Sequence, residues 1–216
     1  MEHYPAEEQH ARALEFDEIA ETIFSPVYPV LAEQIAAATG ITYGSALDIG
    51  SGGGHLGLNL LKVSQLEMTL LDSSMPAVGI AARRAEAWGL SDRVRCLHGD
   101  VHAIALADAS MDLCISRGSL WFWKETELAF SEILRVLRPG GQAYLGSGFA
   151  TGELGQQINA RMRQRDATWP ARRSKFTEGH TPERYARLLA SLPLLAWQII
   201  DDERGFWLHF TKGVSQ

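Results

Sequence analysis

The sequence predicts an α/β protein with a doubly wound, Rossmann-like, mostly parallel sheet that ends in an antiparallel hairpin and is preceded by N-terminal helices. From residue 45 onward, short apolar runs alternate with segments of helical periodicity, as in a parallel sheet covered on both faces. A glycine-rich segment, DIGSGGG at 48–54, stands where the first apolar run meets a helical segment. The last two apolar runs are joined too closely for a crossover helix.

The N-terminal segment is predicted to form two helices. Residues 7–24 carry part of an apolar stripe at helical spacing, and Pro26 and Pro29 interrupt that pattern. The second helix is predicted to end at Ala38, because Gly40 follows and glycine is common just past a helix.

The central part is predicted to alternate strands with helices. In such sheets a ligand binds at the carboxyl ends of the strands, where the strand order reverses. The predicted strands are 45–49, 67–71, 94–98, 111–116 and 142–147, and the predicted helices are 55–62, 75–88 and 124–137.

The C-terminal part breaks this alternation. After a predicted helix at 182–191, strand-like runs at 195–201 and 205–212 follow each other almost directly. Parallel strands need a crossover of about a dozen residues or more, so this pair is predicted to be an antiparallel hairpin.

The composition predicts a soluble, cytoplasmic protein. Of the 216 residues, 46% are hydrophobic and 21% are charged, as in ordinary globular proteins. No apolar run suits a membrane span, and the polar, acidic first ten residues do not resemble a secretory signal. The formal net charge of −6 argues against a dedicated nucleic-acid binder. Cys96 and Cys114 are too few for a disulfide framework or a four-ligand zinc site.

The glycine-rich segment is the centre of the predicted site. Glycine permits positive φ angles and close approach of the backbone to a ligand, and the N–H groups of the next helix then face that ligand. The alternative is a tight structural turn, but four glycines in positions 50–54 are more than such a turn needs.

A second pattern overlaps this segment. Gly52-x-Gly54-x-x-Gly57 matches the dinucleotide fingerprint, and Asp72 follows at the expected distance. That fingerprint expects its first glycine directly after the strand, whereas Gly52 comes later, so the frame that begins at Asp48 fits better.

Two acidic residues follow the next predicted strands. Asp72 can accept hydrogen bonds from both ribose hydroxyls of an adenosine ligand, or it can cap the following helix, as Ser73 can. Asp100, next to Val101, can accept from an adenine amino group or act as a turn residue.

Together these motifs resemble those of the class I S-adenosylmethionine-dependent methyltransferases. The motifs are DxGxGxG at 48–54, the acid at 72, Gly-Asp at 99–100 and RVLRPGG at 135–141, which is expected to end a helix and start a strand. The resemblance covers residues 45–148, and the hairpin extends it to the C-terminus. It implies a seven-stranded sheet that binds S-adenosylmethionine, with methionine on the glycine loop, ribose on Asp72 and adenine on Asp100 and Val101.

On this basis we predict one methyltransferase domain, residues 1–216, in four parts. These parts are an N-terminal helical cap at 1–44, a cofactor-binding core at 45–148, an insert or lid at 149–181, and a C-terminal helix and hairpin at 182–216. The residues predicted to bind the cofactor are Tyr28, Asp48, Gly50, Ser51, Gly52, Gly54, Asp72, Ser73, Asp100, Val101 and Ser116.

The segment SRGSLWFW at 116–123 is predicted to meet the methyl acceptor. It differs from the Asn-Pro-Pro-Tyr type of the adenine-N6 and glutamine methyltransferases, so those substrates are disfavoured. Arg117 could pair with an acidic group of a substrate or with a nearby acid of the protein. Trp121 and Trp123 could offer ring faces to the sulfonium or pack the next helix.

No residue stands out as a general base. Tyr28 and His180 are candidates, so the candidate catalytic residues are these two together with Arg117 and Trp121. No metal site is predicted, since His98 and His102 lack further ligands at a suitable spacing.

The insert at 150–180 is rich in arginine. It could be a lid that attracts an anionic substrate, an RNA-binding surface or a solvated helix face. We predict that it and the N-terminal segment through Tyr28 form one cover over the strand ends. The alternative places the N-terminal helices on the back of the sheet.

The preferred function is methyl transfer to a small-molecule acceptor by in-line displacement. An RNA or protein methyltransferase is the alternative, because of the basic insert. A nicotinamide-dependent oxidoreductase comes third, because of the overlapping fingerprint.

Overall fold

A computed structural model describes residues 5–214, which form a seven-stranded sheet with helices on both faces. The strands are β1 (Tyr43–Ile49), β2 (Gln65–Asp72), β3 (Val94–His98), β4 (Met111–Arg117), β5 (Leu137–Gly148), β6 (Leu194–Asp202) and β7 (Gly205–Lys212). The helices are α1 (Ala6–Thr22), α2 (Val27–Thr39), α3 (His55–Lys62), α4 (Met75–Ala87), α5 (Thr126–Val136), α6 (Gly152–Arg165), α7 (Trp169–Thr177) and α8 (Pro182–Ala190). Within this described part, no helix combines the length and the apolar character that a bilayer span requires.

The strand order is β3-β2-β1-β4-β5-β7-β6. Strands β1 to β5 pair in parallel, whereas β7 is antiparallel to both β5 and β6. The order therefore reverses at β1, which lies between β2 and β4. Segments that leave β1 and β4 start side by side, at the place where doubly wound sheets bind ligands.

Each face of the sheet buries its own apolar layer, because successive strand residues point to opposite faces. In β1, Ala46 belongs to the layer under α2, α3, α4 and α6, whereas Leu47 belongs to the layer under α5 and α8. Both side chains are fully buried. The two layers explain why the central strands read as nearly continuous apolar runs.

Local sequence sets several helix boundaries. Ser74, Thr151 and Thr181 are N-caps whose side chains accept a hydrogen bond from the first turn of α4, α6 and α8. Gly40 ends α2 with a φ of 67°, a conformation that glycine adopts without steric cost.

The strand order and the antiparallel pairing of β6 and β7 confirm the predicted fold class, including the terminal hairpin.

The RVLRPGG motif differs in part from its prediction. The helix ends at this motif, as predicted, with Leu137 as the C-cap of α5, but the strand begins at Leu137 itself rather than after the Pro-Gly-Gly segment. Leu137 is buried and pairs with Met111 of β4, so β5 begins before the predicted strand at 142–147. An irregular register between Met111 and Leu113 then accommodates the Pro-Gly-Gly segment.

The N-terminal segment and the insert contact each other. The ring centroid of Phe24, just after α1, lies 6.0 Å from that of Phe149 and 6.3 Å from that of Trp169. Arg165 of α6 forms an ion pair of 2.9 Å with Glu18 of α1. Helix α2, in contrast, packs on α3 and on one face of the sheet. The N-terminal segment therefore covers that face with α2 and reaches the insert with α1 and Phe24.

Phe130→Ala is expected to lower the free energy of unfolding by about 3–5 kcal/mol, because it removes a large side chain from a close-packed layer. Phe130 of α5 is fully buried and stacks at 5.8 Å on Phe210 of β7. Phe16→Ala is the control, since Phe16 is 62% exposed and a surface substitution costs within about 0.5 kcal/mol. Urea denaturation measures both, and equal losses would contradict the assignment of Phe130 to the core.

Candidate functional site

The glycine loop leaves β1 at the point where the strand order reverses. The backbone N–H groups of Gly50 and Ser51 both donate to the carbonyl of Leu71 in β2, at 2.8 and 3.0 Å. Gly54 N–H donates to the Ser51 carbonyl at 2.8 Å and closes the turn before α3. The loop is thereby fixed to the end of β2 rather than left free.

Asp48 lies beneath this loop. Its carboxylate is buried and accepts a hydrogen bond of 3.0 Å from the N–H of Gly57 in α3. The pKa of Asp48 is raised to about 7, chiefly because the carboxyl is buried; the bond from Gly57 lowers the pKa in part, and the negative charge of Asp72 raises it. Asp48 therefore holds the loop and the start of α3 together, and it is protonated in part near neutral pH.

Asp72 joins the second strand to the loop. One carboxylate oxygen accepts from Gly52 N–H at 2.7 Å and the other from Ser74 N–H at 2.8 Å. Burial raises the pKa of Asp72, while these backbone N–H groups lower it and do not fully offset the burial. The two interpretations made from the sequence are compatible, since Asp72 holds the first turn of α4 and also faces the glycine loop. Ser73, the next residue, is exposed.

The glycine loop has room and an unsatisfied polar atom where a ligand would bind. The Ser51 hydroxyl oxygen is buried and has no hydrogen-bond partner among the described residues. Gly52 has a φ of 54°, and a Cβ built on it would meet no atom within 4 Å. A Cβ on Gly53 would instead collide with the side chains of Asp17 and Arg84. A polar ligand that approaches the backbone at Gly52 and bonds to Ser51 fits this arrangement.

Helix α1 supports the loop through residues that the sequence did not single out. Arg84 of α4 donates to the Gly53 carbonyl at 2.5 Å and forms a two-bond ion pair with Asp17 at 2.9 Å. His55, the first residue of α3, contacts Glu21 at 2.9 Å. These residues lie far apart along the chain, and no local pattern links them, so sequence reasoning had no signal for them.

The turn after β3 holds Asp100 in a fixed orientation. His102 approaches the Asp100 carboxylate through its backbone N–H at 2.9 Å and its ring Nδ1 at 2.5 Å. Burial raises the pKa of Asp100, but the hydrogen bonds from His102 outweigh it and leave the pKa below its ordinary value. Gly99 N–H donates to the Asp72 carbonyl at 3.0 Å, so this turn is tied to the second strand, and Val101 is buried beside it.

The segment after β4 also supports the glycine loop. Ser116 is fully buried, and its hydroxyl lies 2.6 Å from that of Ser119. Ser119 donates to the Ile49 carbonyl at 3.0 Å, and its side chain fills the space beside Gly50. Ser119, which the sequence interpretation passed over, thus lies between Ser116 and the loop.

Arg117 and Tyr28 come together beside the loop. The Arg117 guanidinium lies 5.2 Å from the Tyr28 ring centroid, and its Nε donates to the Gly148 carbonyl at 3.0 Å. Tyr28 is buried and stacks on His55 at 5.0 Å. No acidic side chain of residues 5–214 forms an ion pair with Arg117. Burial lowers the pKa of Arg117.

Trp121 and His180 form a second cluster with residues of the C-terminal part. Their ring centroids are 4.9 Å apart, and Trp121 also lies 5.6 Å from Phe206. His180 Nδ1 lies 2.7 Å from the Tyr185 hydroxyl, and burial lowers the pKa of His180, which favours the neutral imidazole. Trp123 is buried in the layer under α5, so it packs the next helix as the alternative interpretation proposed.

No group of three or more His, Cys, Asp and Glu side chains suited to a metal ion occurs within residues 5–214. His98 lies 3.1 Å from the Ser73 carbonyl, and His102 contacts Asp100. A cavity of about 520 Å³ lies at the amino ends of the strands, opposite the glycine loop. Its lining includes Val94 and Met111, the first residues of β3 and β4. None of the predicted site residues lines it, so the candidate site is the region around the glycine loop.

Comparison with known proteins gives consistent results. Residues 47–145 match the family described as methyltransferase domain. A sterol 24-C-methyltransferase of Gibberella zeae is 32% identical over 111 residues, which are 51% of this chain and 28% of that protein. A demethylmenaquinone methyltransferase of Thermus thermophilus is 35% identical over 97 residues, which are 44% and 43% of the two chains. This chain spans less than half the length of these curated relatives.

A solved structure matches along the whole chain. A protein of Methanococcus maripaludis, assigned as an S-adenosyl-L-methionine-dependent methyltransferase, superposes with a TM-score of 0.91 and 35% identity, and the match covers 100% of this chain and 98% of that one. A geranyl diphosphate C-methyltransferase of Streptomyces coelicolor, solved in complex with S-adenosyl-L-homocysteine, superposes with a TM-score of 0.65 over 85% of this chain and 78% of that one. At 16% identity, this second likeness shows the fold alone.

Asp48→Asn is expected to remove a pH-dependent loss of stability. The folded protein keeps the Asp48 proton up to about pH 7, whereas an unfolded chain loses it near pH ~4. As pH rises between these values, the wild type loses stability relative to the variant by up to about 1.4 kcal/mol per pH unit, and the difference is constant at higher pH. The asparagine oxygen can still accept from Gly57 N–H.

Urea denaturation of both proteins between about pH 5 and 8 measures this difference. Asp201→Asn, on the exposed hairpin strand β6, is the control for the chemical change itself. Stability curves of wild type and Asp48→Asn that stay parallel across the range would contradict the raised pKa of Asp48.

Proposed function

Because the chain belongs to the class I S-adenosylmethionine-dependent methyltransferases, we propose that it transfers a methyl group from S-adenosylmethionine to a small-molecule acceptor. The observation that carries the proposal is the glycine loop, where Ser51 offers a buried, unpaired hydroxyl and Gly52 faces open space. Two carboxylates lie on one side of this loop, since Asp72 ends β2 and Asp100 follows β3. The curated relatives named for sterol and demethylmenaquinone methylation support a small-molecule acceptor.

The chain's own residues would bind and orient the cofactor. Bound S-adenosylmethionine supplies an electrophilic methyl group on a sulfonium, which leaves as a neutral thioether. Asp72, whose oxygens keep lone pairs beyond the bonds to Gly52 and Ser74, would accept from the ribose hydroxyls. Asp100, held by His102, would accept from the adenine amino group. The glycine loop would hold the methionine part.

The protein's main task would be to align the acceptor with the methyl group. Correct orientation alone can lower the barrier by about 7–11 kcal/mol. A base is needed only for an acceptor that must lose a proton. His180 is the better candidate for that role, since burial lowers its pKa and favours the neutral ring, whereas burial raises the pKa of Tyr28. Tyr28 would instead close over the glycine loop, beside His55.

Contacts within the protein disfavour the RNA-binding alternative for the insert. Arg161 donates to the Thr22 carbonyl at 2.6 Å, and Arg165 pairs with Glu18 of α1. Arg172 pairs with Asp166 at 3.0 Å in the insert itself. These arginines tie the insert to α1 and to itself, which supports its role as a cover shared with the N-terminal segment. A cytoplasmic place of action stays a prediction.

The first experiment is calorimetric titration of the protein with S-adenosyl-L-homocysteine and, separately, with NAD. The first ligand is expected to bind and the second is not. Asp72→Asn should weaken the binding of S-adenosyl-L-homocysteine at least tenfold, because a hydrogen bond to a charged group contributes about 1.5–3 kcal/mol. Asp92→Asn is the control, because Asp92 lines the cavity at the amino ends of the strands, away from the glycine loop. Binding of NAD alone would overturn the proposed function, and unchanged affinity in Asp72→Asn would remove Asp72 from the site.

Gly52→Ala and Gly140→Ala form a matched pair. Both glycines have positive φ, 54° and 79°, and a Cβ on either meets no atom within 4 Å. Each variant should lose about 1–2 kcal/mol of stability, since alanine disfavours this conformation. Only Gly52→Ala should also lose affinity for S-adenosyl-L-homocysteine, because its methyl group would occupy the ligand's space. Calorimetry and urea denaturation separate the two effects, and equal ligand affinity in both variants would refute the role of Gly52.

A further inference from the structure

We propose that Arg117 and Arg173 form a subsite for an anionic group, a carboxylate or a phosphate, on the methyl acceptor. The inference rests on the proposed methyltransferase function and names a chemical class for its acceptor. The two guanidinium groups face the same ring, that of Phe149, with distances of 6.0 and 4.9 Å to its centroid. Neither forms an ion pair with any acidic side chain described between residues 5 and 214.

Arg117 is a charge that the protein itself does not neutralise. Its guanidinium lies among three aromatic rings, at 5.0 Å from Phe24, 5.2 Å from Tyr28 and 6.0 Å from Phe149. Within residues 5–214 its side chain makes one hydrogen bond, from Nε to the Gly148 carbonyl, which leaves the two terminal nitrogens available. A half-buried arginine without an acidic partner is costly, and an anion held by its fork would offset that cost.

Arg173 differs from the neighbouring arginines of the insert. Arg161, Arg165 and Arg172 each bond to a carbonyl or a carboxylate of the protein. The Arg173 side chain makes no hydrogen bond within the described residues, although α7 holds it half-buried over Phe149. Burial lowers the pKa of Arg173, and the positive charge of Arg117 lowers it further. Two like charges are thus brought close together with nothing between them to compensate, as in sites that bind anions.

The position of the pair assigns the anion to the acceptor rather than to the cofactor. The carboxylates proposed to bind the adenosine part are Asp72, which ends β2, and Asp100, which follows β3, whereas Arg117 ends β4 and Phe149 follows β5. In the strand order β3-β2-β1-β4-β5, these two groups lie on opposite sides of the glycine loop. Neighbouring strands are about 4.8 Å apart, so the arginines lie within reach of a small acceptor placed next to the methyl group.

The experiment uses the whole protein saturated with S-adenosyl-L-homocysteine and titrated with pyrophosphate and with succinate at constant ionic strength. At least one anion is expected to bind, and Arg173→Gln should weaken that binding tenfold or more, the usual effect of losing a charge-assisted contact. Arg173 is chosen because replacing it leaves no hydrogen-bond partner unsatisfied. Arg163→Gln is the matched control, an exposed arginine of the same insert, and should bind like the wild type.

Three results would overturn the subsite. The first is that neither anion binds the wild type, and the second is that Arg163→Gln weakens binding as much as Arg173→Gln. The third is that Arg173→Gln weakens binding of S-adenosyl-L-homocysteine but not of 5′-methylthioadenosine, which lacks the amino-acid part, since the anion would then be the cofactor's own carboxylate. If the wild type does not bind S-adenosyl-L-homocysteine at all, the proposed function itself fails, and this outcome is distinct from loss of the subsite alone.

Discussion

The carboxylate of Asp72 connects the parts on which the candidate site depends. It accepts from Gly52 N–H in the glycine loop and from Ser74 N–H at the start of α4, while the backbone carbonyls of Leu71 and Asp72 hold the loop and the turn after β3. Because these bonds lie at the carboxyl ends of adjacent parallel strands, the loop after β1, the end of β2 and the turn after β3 are held in fixed positions relative to one another. The site is therefore built mostly from backbone geometry, with few side chains supplying its polar groups.

The N-terminal helix completes this arrangement from the outside. Asp17 orients Arg84, and Arg84 donates to the Gly53 carbonyl, so the loop is held from the solvent side as well as from the sheet. Gly53 has to be glycine because a Cβ would collide with this ion pair. The pair is largely shielded from solvent, and such pairs are less screened by salt than exposed ones. The helix that precedes the core is thus part of the loop's support.

The reversal of strand order separates the two proposed binding functions. Carboxylates lie on the β2 and β3 side of the loop, where an adenosine offers donors, and unpaired guanidinium groups lie on the β4 and β5 side. The rings of Phe24, Tyr28 and Phe149 enclose Arg117 and limit its hydration, which strengthens its attraction for an anion. The insert contributes Arg173 to this side, while Arg161, Arg165 and Arg172 tie the insert to α1 and to itself.

The sequence by itself determined the sheet, the terminal hairpin, the position of the glycine loop and the family resemblance, because hydrophobic period and glycine placement are local signals. It also indicated Asp48, Asp72 and Asp100 through their places at strand ends. Only the tertiary structure brought Asp17 to Arg84, His102 to Asp100, and Arg173 to the ring that Arg117 also faces. It also placed Leu137 in β5 and Trp123 in the core, because pairing with β4 and packing under α5 outweigh the local pattern. The partners of a side chain that lie far away in the sequence depend on how the helices pack on the sheet, and no local spacing encodes that packing.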